Sequence, residues 1–349
     1  MIDIDGSDGG GQLLRTALTL STITDTPFRI DGIRSNRPDP GLKPQHLAAV
    51  RLATEFCNAD VTGAELGSDS ISFRPGTERR TSLRADVGTA GSVTLLFDTV
   101  LPIAAVHDEP VHLTATGGTD VKWAPTIEYH RRVKLPILAP RGLIAEIDLR
   151  RSGFYPAGGG KAVLRTAPSS ISPFELDTRG EIECVELYSK ASEELADRNV
   201  ADRQANHARE QLERSGISTE IRSVDYVSAR SAGSSLLLRG VYERTLAGVD
   251  SLGERGRTSE AVAEDAVRQF RAFHASGAPV DEHMADQLMV FLALAGGRVH
   301  IPSVTAHVQS NLELVNAFGS DMQLDRCRDG AISLEASAHA AVPGGGSSP

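Results

Sequence analysis

His307 stands where an imidazole could act as a nucleophile. The stretch TAHVQSN follows a predicted strand and opens a predicted helix, and Ser303 or Thr305 could cap its first turn. The positive potential of a helix N-terminus disfavours the imidazolium, so the ring stays neutral. A neutral ring nitrogen can attack phosphorus, and the backbone N–H groups would stabilise the attached phosphoryl group. Asn311, one turn further along, can reach the same pocket. A histidine that only caps or packs is the alternative.

Three adjacent glycines near the start of the chain, in DGSDGGGQLLR, suggest a phosphate-binding turn. Glycines before a helix let backbone N–H groups approach an anion closely. A P-loop needs a lysine after the glycines, but here Gln12 follows Gly11 and the next basic residue is Arg15. A tight strand-to-helix turn without a ligand is the alternative.

A second group of polar residues lies in RSNRPDPGLKPQH, which contains Arg34, Arg37, Lys43, Gln45 and His46. Guanidinium groups bind phosphate oxygens in pairs, so an arginine loop beside prolines suits a fixed anion site. GGTDVKWAP and DEHMADQ are clusters of the same kind. The alternative for each is a solvated charged loop or an ordinary helix start.

The composition is acidic, with a net charge of −10, and only five of the 36 basic residues are lysines. Such a surface suits a protein kept soluble in concentrated salt. Maximum stability at low ionic strength would contradict this hypothesis. Net acidity argues against indiscriminate nucleic-acid binding but leaves room for a local arginine cluster.

The cysteines and the apolar stretches indicate where the protein works. Cys57, Cys184 and Cys327 are widely spaced without a C-x-x-C pair, which fits neither a disulfide framework nor a zinc site. The longest apolar stretch, LMVFLALAG, is too short to span a bilayer, and no signal segment opens the chain. We therefore expect a cytoplasmic protein without membrane association.

Three segments share one plan, a helix, a short strand and a second helix. They begin at Gly9, Gly88 and Asp281, so the first two starts are about 80 residues apart and the next two about 190. The surplus of roughly a hundred residues fits a small α+β domain at 180–278. The tail 338–349 reads as disordered.

With these residues in view, the chain resembles the RNA 3′-terminal phosphate cyclase family nearly end to end. GFYPAGGG, together with the pair DEHMADQ and TAHVQSN, is the most specific part of the resemblance. Further matching stretches are DGGGQLLR, RPDPGLKPQHLAAV, GTAGSVTLLFDTVLP and SLGERGRTSEAVAE. The resemblance implies an α/β (α+β) fold whose large domain, 1–179 and 279–337, has three βαβαββ-type units. The small domain would be inserted before the third unit.

The resemblance also implies a reaction, the ATP-dependent conversion of an RNA 3′-phosphate to a 2′,3′-cyclic phosphate with a divalent metal, Mg or Mn. His307 would attack the α-phosphorus of ATP and form a histidine–AMP adduct. The AMP would pass to the RNA 3′-phosphate, and the neighbouring 2′-hydroxyl would close the ring as AMP leaves. The enzyme would belong to the ATP-dependent ligases, with ATP and RNA 3′ ends as its partners.

Site residues follow from the matched motifs. His307 would be the nucleophile and Asp8 the metal ligand, while the phosphates or the RNA end would contact Arg15, Arg37, Gln45 and His46. The resemblance assigns the following residues to ATP: Gln12, Asp98, Pro125, Tyr129, His283, Met284, Ala285, Asp286, Gln287 and Asn311.

Three positions depart from the family pattern. The glycine loop is two residues shorter, with Asp8 where a glutamate is usual. Asp98 stands where a glutamine commonly contacts ATP, which replaces a donor by an acceptor. His283 replaces a tyrosine against the adenine. These changes bear on affinity and metal preference more than on the reaction.

Two other functions were weighed against the cyclase. Non-catalytic relatives that serve as ribosome-assembly factors lack the nucleophilic histidine, so His307 favours the enzyme. An enolpyruvyl transferase, also built from repeated units, would need neither TAHVQSN nor GFYPAGGG, and a shared fold alone is weak evidence.

Overall fold

Three sheets in the described part of the chain share one strand order and one set of strand directions. The structure is a computed structural model that describes residues 1–7, 10–327 and 330–339. In each sheet the first two strands are parallel and the remaining neighbours are antiparallel. A helical crossover gives the parallel pair, and the last two strands then add as antiparallel neighbours. The predicted α/β (α+β) fold class is confirmed.

The first two units follow one another along the chain. The first contains β1 (Ile2–Asp5), α1 (Gly10–Thr24), β2 (Phe28–Asp31), α2 (Pro44–Cys57), β3 (Asp60–Thr62) and β4 (Ile71–Arg74). The second contains β5 (Ser82–Asp86), α3 (Val93–Ala105), β6 (His112–Gly117), α4 (Ile127–Tyr129), a π-helical turn (His130–Lys134), α5 (Leu135–Leu138), a 3₁₀ turn (Ala139–Arg141), β7 (Ala145–Arg151) and β8 (Gly160–Thr166).

The third unit is divided by an insertion. It begins with β9 (Phe174–Leu176), and the insertion then contains β10 (Ile182–Ser192), a 3₁₀ turn (Glu193–Arg198), α6 (Val200–Glu213), β11 (Thr219–Val227), β12 (Ser234–Tyr242), β13 (Leu246–Gly253) and α7 (Ser259–Ser276). The unit resumes with α8 (Glu282–Gln287), α9 (Met289–Ala295), β14 (Gly297–Ile301), α10 (Ala306–Ala317), β15 (Gln323–Arg326) and β16 (Ile332–Ala336). Because β9 pairs with β14, the insertion follows the first strand of this unit rather than preceding the unit.

Two apolar cores hold these elements. The larger joins the helices of the three units, with Leu14, Phe97 and Phe291 fully buried. The smaller lies between the sheet β11-β10-β12-β13 and its two helices, with Leu236 and Phe270 fully buried. Each such side chain contributes about 1.5–3 kcal/mol by leaving water. The predicted domain boundaries stay a prediction, and from residue 340 the predicted disordered tail lies outside the described residues.

Buried polar contacts join the insertion to the body. Lys190 Nζ on β10 lies 2.9 Å from Asp120 Oδ2, and Ser235 donates to Asp120 Oδ1 at 3.1 Å. Asp120 is 2% and Lys190 5% exposed, so this ion pair is shielded from water. The Gly248 amide on β13 donates to Asp281 Oδ2 at 2.9 Å, just before α8. The insertion is therefore fixed to the part of the body that carries α8.

The described helices are short or carry polar residues. None of them is both long enough and apolar enough to cross a bilayer. The cytoplasmic location stays a prediction.

Candidate active site

The helix α10 presents His307 in its first turn, as the sequence predicts. The Thr305 hydroxyl accepts the Val308 amide at 3.1 Å and so caps the helix. His307 is exposed, whereas Asn311, one turn later, is 1% exposed. Asn311 Oδ1 accepts a hydrogen bond from Thr16 on α1 at 3.2 Å, which fixes the two helices to each other. Asn311 therefore positions His307 against α1, and Thr16 is a residue that the sequence analysis missed.

The surroundings of the His307 ring keep it unprotonated. Partial burial lowers its pKa first, and the charges of Arg15, Arg37 and His283 lower it further. These come from α1, from the loop after β2 and from α8. The ring is thus held neutral in a region of positive potential, which is the state that a nitrogen nucleophile attacking a phosphate needs.

The glycine turn and the start of α2 meet beside this ring. The helix α1 begins at Gly10, whose φ of 57° is in the left-handed region, and Gly11 lies so close to His46 that a Cβ would overlap its Nε2. His46 Nδ1 accepts the Lys43 amide at 3.1 Å, so the neutral ring carries its proton on Nε2. Burial, with a contribution from Arg15, lowers the pKa of His46 to about 3. His46 is therefore a neutral donor beside the N-terminus of α1.

Replacing Gly11 by alanine should destabilise the protein, because the new methyl group has to displace the His46 ring. Overpacking of this kind costs about 1–3 kcal/mol. Urea unfolding of the single and double variants measures it: in a His46→Ala background, Gly11→Ala should cost markedly less. An equal loss in both backgrounds would show that His46 is not the obstacle.

The loop after β2 places its arginines differently. Arg34 donates to the carbonyls of Asp39 and Gly41 at 2.9 and 3.1 Å, so it holds the loop itself. Arg37 is exposed, and its Nη2 lies 4.0 Å from the position of a Cβ on Gly10. Arg37 therefore faces the glycine turn with its guanidinium available to an anion.

Gln45 connects this loop to the second unit. Its Oε1 accepts the Ser92 amide at 3.5 Å and packs on Gly91, at the start of α3. The N-termini of α1, α2, α3 and α10 thus lie around one region. Helix N-termini bind anions through free N–H groups and the helix dipole, so this region suits a polyphosphate.

The short helix α8 supplies the acidic side of the site. Burial raises the pKa of Asp286 to about 6, although its hydrogen bond with Gln12 lowers it. Met284 and Ala285 are buried, and Gln287 has a buried Oε1 that lacks a partner among the described residues. Gln12, Asp286 and Gln287 could therefore offer amide and carboxyl contacts to a nucleotide.

Asp98 contacts two basic side chains of the second unit. Its Oδ1 lies 2.7 Å from His130 Nε2 and 2.5 Å from Lys134 Nζ. Burial would raise the pKa of Asp98, but Lys134 and His130 hold it well below its usual value. Asp98, which stands where the family pattern has a glutamine, is thus paired within the protein with His130 and Lys134. Its contact with ATP stays a prediction.

His130 and Lys134 were not predicted from the sequence. Both are buried, at 0% and 1% exposed, in the π-helical turn. The available signal was their i, i+4 spacing within the predicted helix TIEYHRRVKLPIL, where two basic side chains on one buried face would need an acidic partner.

Tyr129 and Pro125 lie beneath the surface. Tyr129 is fully buried, donates to Asp281 Oδ1 at 2.5 Å and meets the His283 ring edge-on at 6.1 Å between centroids. The buried Pro125 accepts a hydrogen bond from Thr94 through its carbonyl at 2.9 Å. Because both rings are buried, neither is exposed to an adenosine in this structure, and their contact with ATP stays a prediction. The exposed ring here is that of His283, which Tyr129 supports.

The structure does not test the predicted metal ligand. Asp8 lies outside them, and they contain no group of three or more His, Cys, Asp or Glu side chains that could hold an ion. The divalent metal, Mg or Mn, and Asp8 as its ligand therefore stay predictions.

Comparison with known proteins gives a consistent result along the chain. An RNA 3′-terminal phosphate cyclase of Halobacterium salinarum is 41% identical over 344 residues, which cover 95% of this chain and 99% of that one. One of Saccharolobus islandicus is 42% identical over 328 residues, which cover 93% and 96%. Among solved structures, the enolpyruvyl transferase NikO of Streptomyces tendae matches 96% of this chain and 65% of that chain, at 12% identity and a TM-score of 0.28. That likeness is too weak to carry an argument.

The family model described as RNA 3′-terminal phosphate cyclase matches residues 7–322, which include the glycine turn, the arginine loop, α8 and His307. Together with the two relatives over nearly the full chain, this match shows that the chain belongs to the RNA 3′-terminal phosphate cyclase family.

Proposed function

We propose that the protein converts an RNA 3′-phosphate to a 2′,3′-cyclic phosphate at the expense of ATP, through a covalent adduct on His307. One observation supports this most directly: a neutral, exposed imidazole at a helix N-terminus, surrounded by Arg15, Arg37 and His283. The names of the relatives supply the substrate class.

In the first step, a ring nitrogen of His307 attacks the α-phosphorus of ATP. A nitrogen–phosphorus bond forms, the bond from the α-phosphorus to the bridging oxygen breaks, and diphosphate leaves with the electron pair. Arg15 and Arg37 would neutralise charge that develops on the phosphates. Helix N-termini around the glycine turn would hold the triphosphate in line with the imidazole.

In the second step, an oxygen of the RNA 3′-phosphate attacks the phosphorus of the adduct, and the histidine leaves as the neutral ring. The new anhydride gives the RNA phosphorus a good leaving group. The adjacent 2′-hydroxyl then attacks that phosphorus, its proton passes to solvent or a base, and AMP departs. Because the hydroxyl is attached next to the phosphate, closure of the ring needs little further ordering.

The experiment is incubation with ATP labelled at the α-phosphorus and Mg²⁺ or Mn²⁺, then with an RNA oligonucleotide bearing a 3′-phosphate. We expect a protein label that is labile in acid and stable in base, as a phosphoramidate is, and an RNA end that resists phosphatase. ATP labelled at the γ-phosphorus should leave the protein unlabelled. An RNA with a terminal 2′-deoxyribose should accept AMP without closing the ring. A protein that neither takes up label nor protects the RNA end would contradict the proposal.

Self-adenylylation should lose rate at acid pH, because protonation of His307 removes the lone pair that attacks. The midpoint should lie below the usual histidine value of roughly 6.5, since burial and neighbouring cations lower the pKa of His307. Removing a cation raises that pKa, so Arg37→Gln should move the midpoint to higher pH. Labelling at ATP concentrations well below saturation measures the profile, because kcat/KM reports the pKa of the free enzyme.

Two variants serve as controls for this profile. Arg51→Gln, on the exposed face of α2, should leave the midpoint in place. Asp286→Asn removes the other group that titrates nearby, whose pKa burial raises to about 6. Equal shifts for Arg37→Gln and Arg51→Gln would mean that general surface charge, not proximity, sets the profile.

A further inference from the structure

Two exposed aromatic side chains, Trp123 and Tyr155, lie outside the site described above. Trp123 is 95% and Tyr155 72% exposed. Trp123 is the only tryptophan of the sequence. Its φ of 62° is a conformation that residues other than glycine rarely adopt, yet the fold presents this large ring to solvent there. Neither ring therefore contributes to the apolar core, so core packing does not explain why an aromatic residue is present at these positions.

The two rings belong to adjacent loops. Trp123 follows β6, and Tyr155 lies between β7 and β8 in the motif GFYPAGGG. A backbone bridge between Asp120 and Phe154 places the loops side by side. We call the exposed surface of these loops, residues 122–123 and 155–157, the aromatic surface.

Two arginines border the aromatic surface without a carboxylate partner. Arg151 Nε donates to the Gly159 carbonyl at 2.6 Å, and the Arg230 side chain covers Gly159 so closely that a Cβ there would lie 2.5 Å from its Cδ. Both are exposed, and within the described part of the chain neither forms an ion pair with Asp or Glu. Two adjacent, unneutralised guanidinium groups in a chain of net charge −10 favour an anionic ligand.

The aromatic surface is continuous with the candidate active site. Gly158 packs on Ala90, where a Cβ would lie 2.8 Å from the Ala90 Cα. The next residue along that loop, Gly91, packs on Gln45 at the start of α2. A chain that leaves the anion-binding region past Gln45 would therefore reach Tyr155 and Trp123.

We propose that the aromatic surface binds the RNA strand on the 5′ side of its terminal phosphate. Trp123 and Tyr155 would stack on successive bases, while Arg151 and Arg230 would contact the connecting phosphates. Stacking on aromatic rings needs unpaired bases and tolerates any sequence, so the ligand is single-stranded RNA. This inference rests on the proposed function, because it assumes that an RNA end occupies the site.

Fluorescence of the unmodified protein tests the proposal, since Trp123 is its sole tryptophan. The probe is a single-stranded RNA of about ten nucleotides with a 3′-hydroxyl, which cannot be cyclised. We expect quenching of the tryptophan emission that saturates with the binding measured by RNA anisotropy. Removing the contact between one aromatic ring and one base lowers the RNA affinity roughly tenfold. Trp123→Ala and Tyr155→Ala should therefore each raise the Kd by about that factor. Trp123→Phe should restore most of the affinity.

Ile144→Ala is the matched control, because Ile144 is an exposed apolar residue (57%) next to the opposite end of β7. It should bind RNA as the unmodified protein does. Cyclisation of a dinucleotide 3′-phosphate, which is too short to reach the rings, should be unchanged in Trp123→Ala. RNA binding without a change in emission would overturn the inference. A tryptophan emission that changes with protein concentration in the absence of RNA would also overturn it, because it would show that the aromatic surface is an interface between two copies of the protein. If the unmodified protein does not cyclise any RNA 3′-phosphate but RNA still quenches its tryptophan emission, the proposed function is refuted and the RNA-binding surface is not.

Discussion

Replacing His307 by alanine should abolish the labelling of the protein by α-labelled ATP. The adduct needs a nucleophile at the N-terminus of α10. Of the two other histidines beside the site, His46 is buried against Gly11 and His283 lies on α8. Loss of a nucleophile commonly lowers a rate by several powers of ten, so we expect a fall of at least about a thousandfold. Cyclisation of RNA should fall with it, because the anhydride forms only from the adduct.

The folded structure should tolerate this change. His307 is exposed, and the cap of α10 comes from Thr305. Urea unfolding should therefore match that of the unmodified protein. His112→Ala, at an exposed position of β6, is the matched control and should label normally. Label that persists in His307→Ala would place the nucleophile on another residue.

Replacing Lys190 by methionine should destabilise the protein strongly, because it breaks a buried ion pair between the insertion and the body. Methionine keeps the length of the side chain but leaves the buried Asp120 carboxylate without its cation; among the described residues, the Thr119 and Ser235 hydroxyls still donate to it. Breaking a buried ion pair from one side costs about 3–5 kcal/mol. The Lys190 charge also acts on Glu128, which loses that interaction.

Lys122→Met is the matched control for this measurement. Lys122 pairs with Glu254 at 2.5 Å, but both side chains are about half exposed, at 52% and 51%. Pairs in water contribute about 0–1 kcal/mol, so this variant should unfold almost as the unmodified protein does. Denaturant unfolding in parallel gives both values. Equal losses would mean that burial does not set the strength of the Asp120 pair.

Short-range patterns explain why much of the architecture could be predicted. The helix periodicity of α2 and α10 and the Thr305 cap are local, so the sequence shows them directly. The repeat spacing then revealed an insertion. The strand β9 was missed because three residues, Phe174–Leu176, are too few to show an alternating pattern. That is why the predicted insertion precedes the third unit, whereas the structure has it after β9.

Contacts between distant segments could not be predicted in the same way. The roles of Asp98, His130 and Lys134 depend on a helix turn and a second helix that meet only in the fold. Tyr129 was assigned to the nucleotide from the resemblance, yet Asp281, 152 positions away, holds its hydroxyl in the interior. His307 could be placed in the first turn of a helix from the sequence, because its capping residue and helix periodicity are local; its role as a nucleophile stays a prediction.

Asp281 has a consequence for any attempt to shorten this protein. Its carboxylate accepts the Met284 amide at the start of α8, the Tyr129 hydroxyl and the Gly248 amide. A minimal variant without the segment between β9 and α8 would lack Gly248. Asp281 Oδ2 would then lose the Gly248 amide that donates to it, and the Tyr129 ring, on which Gly248 packs, would be exposed to water. The segment therefore completes the buried contacts of α8 and Tyr129, and it cannot be excised without redesign of those contacts.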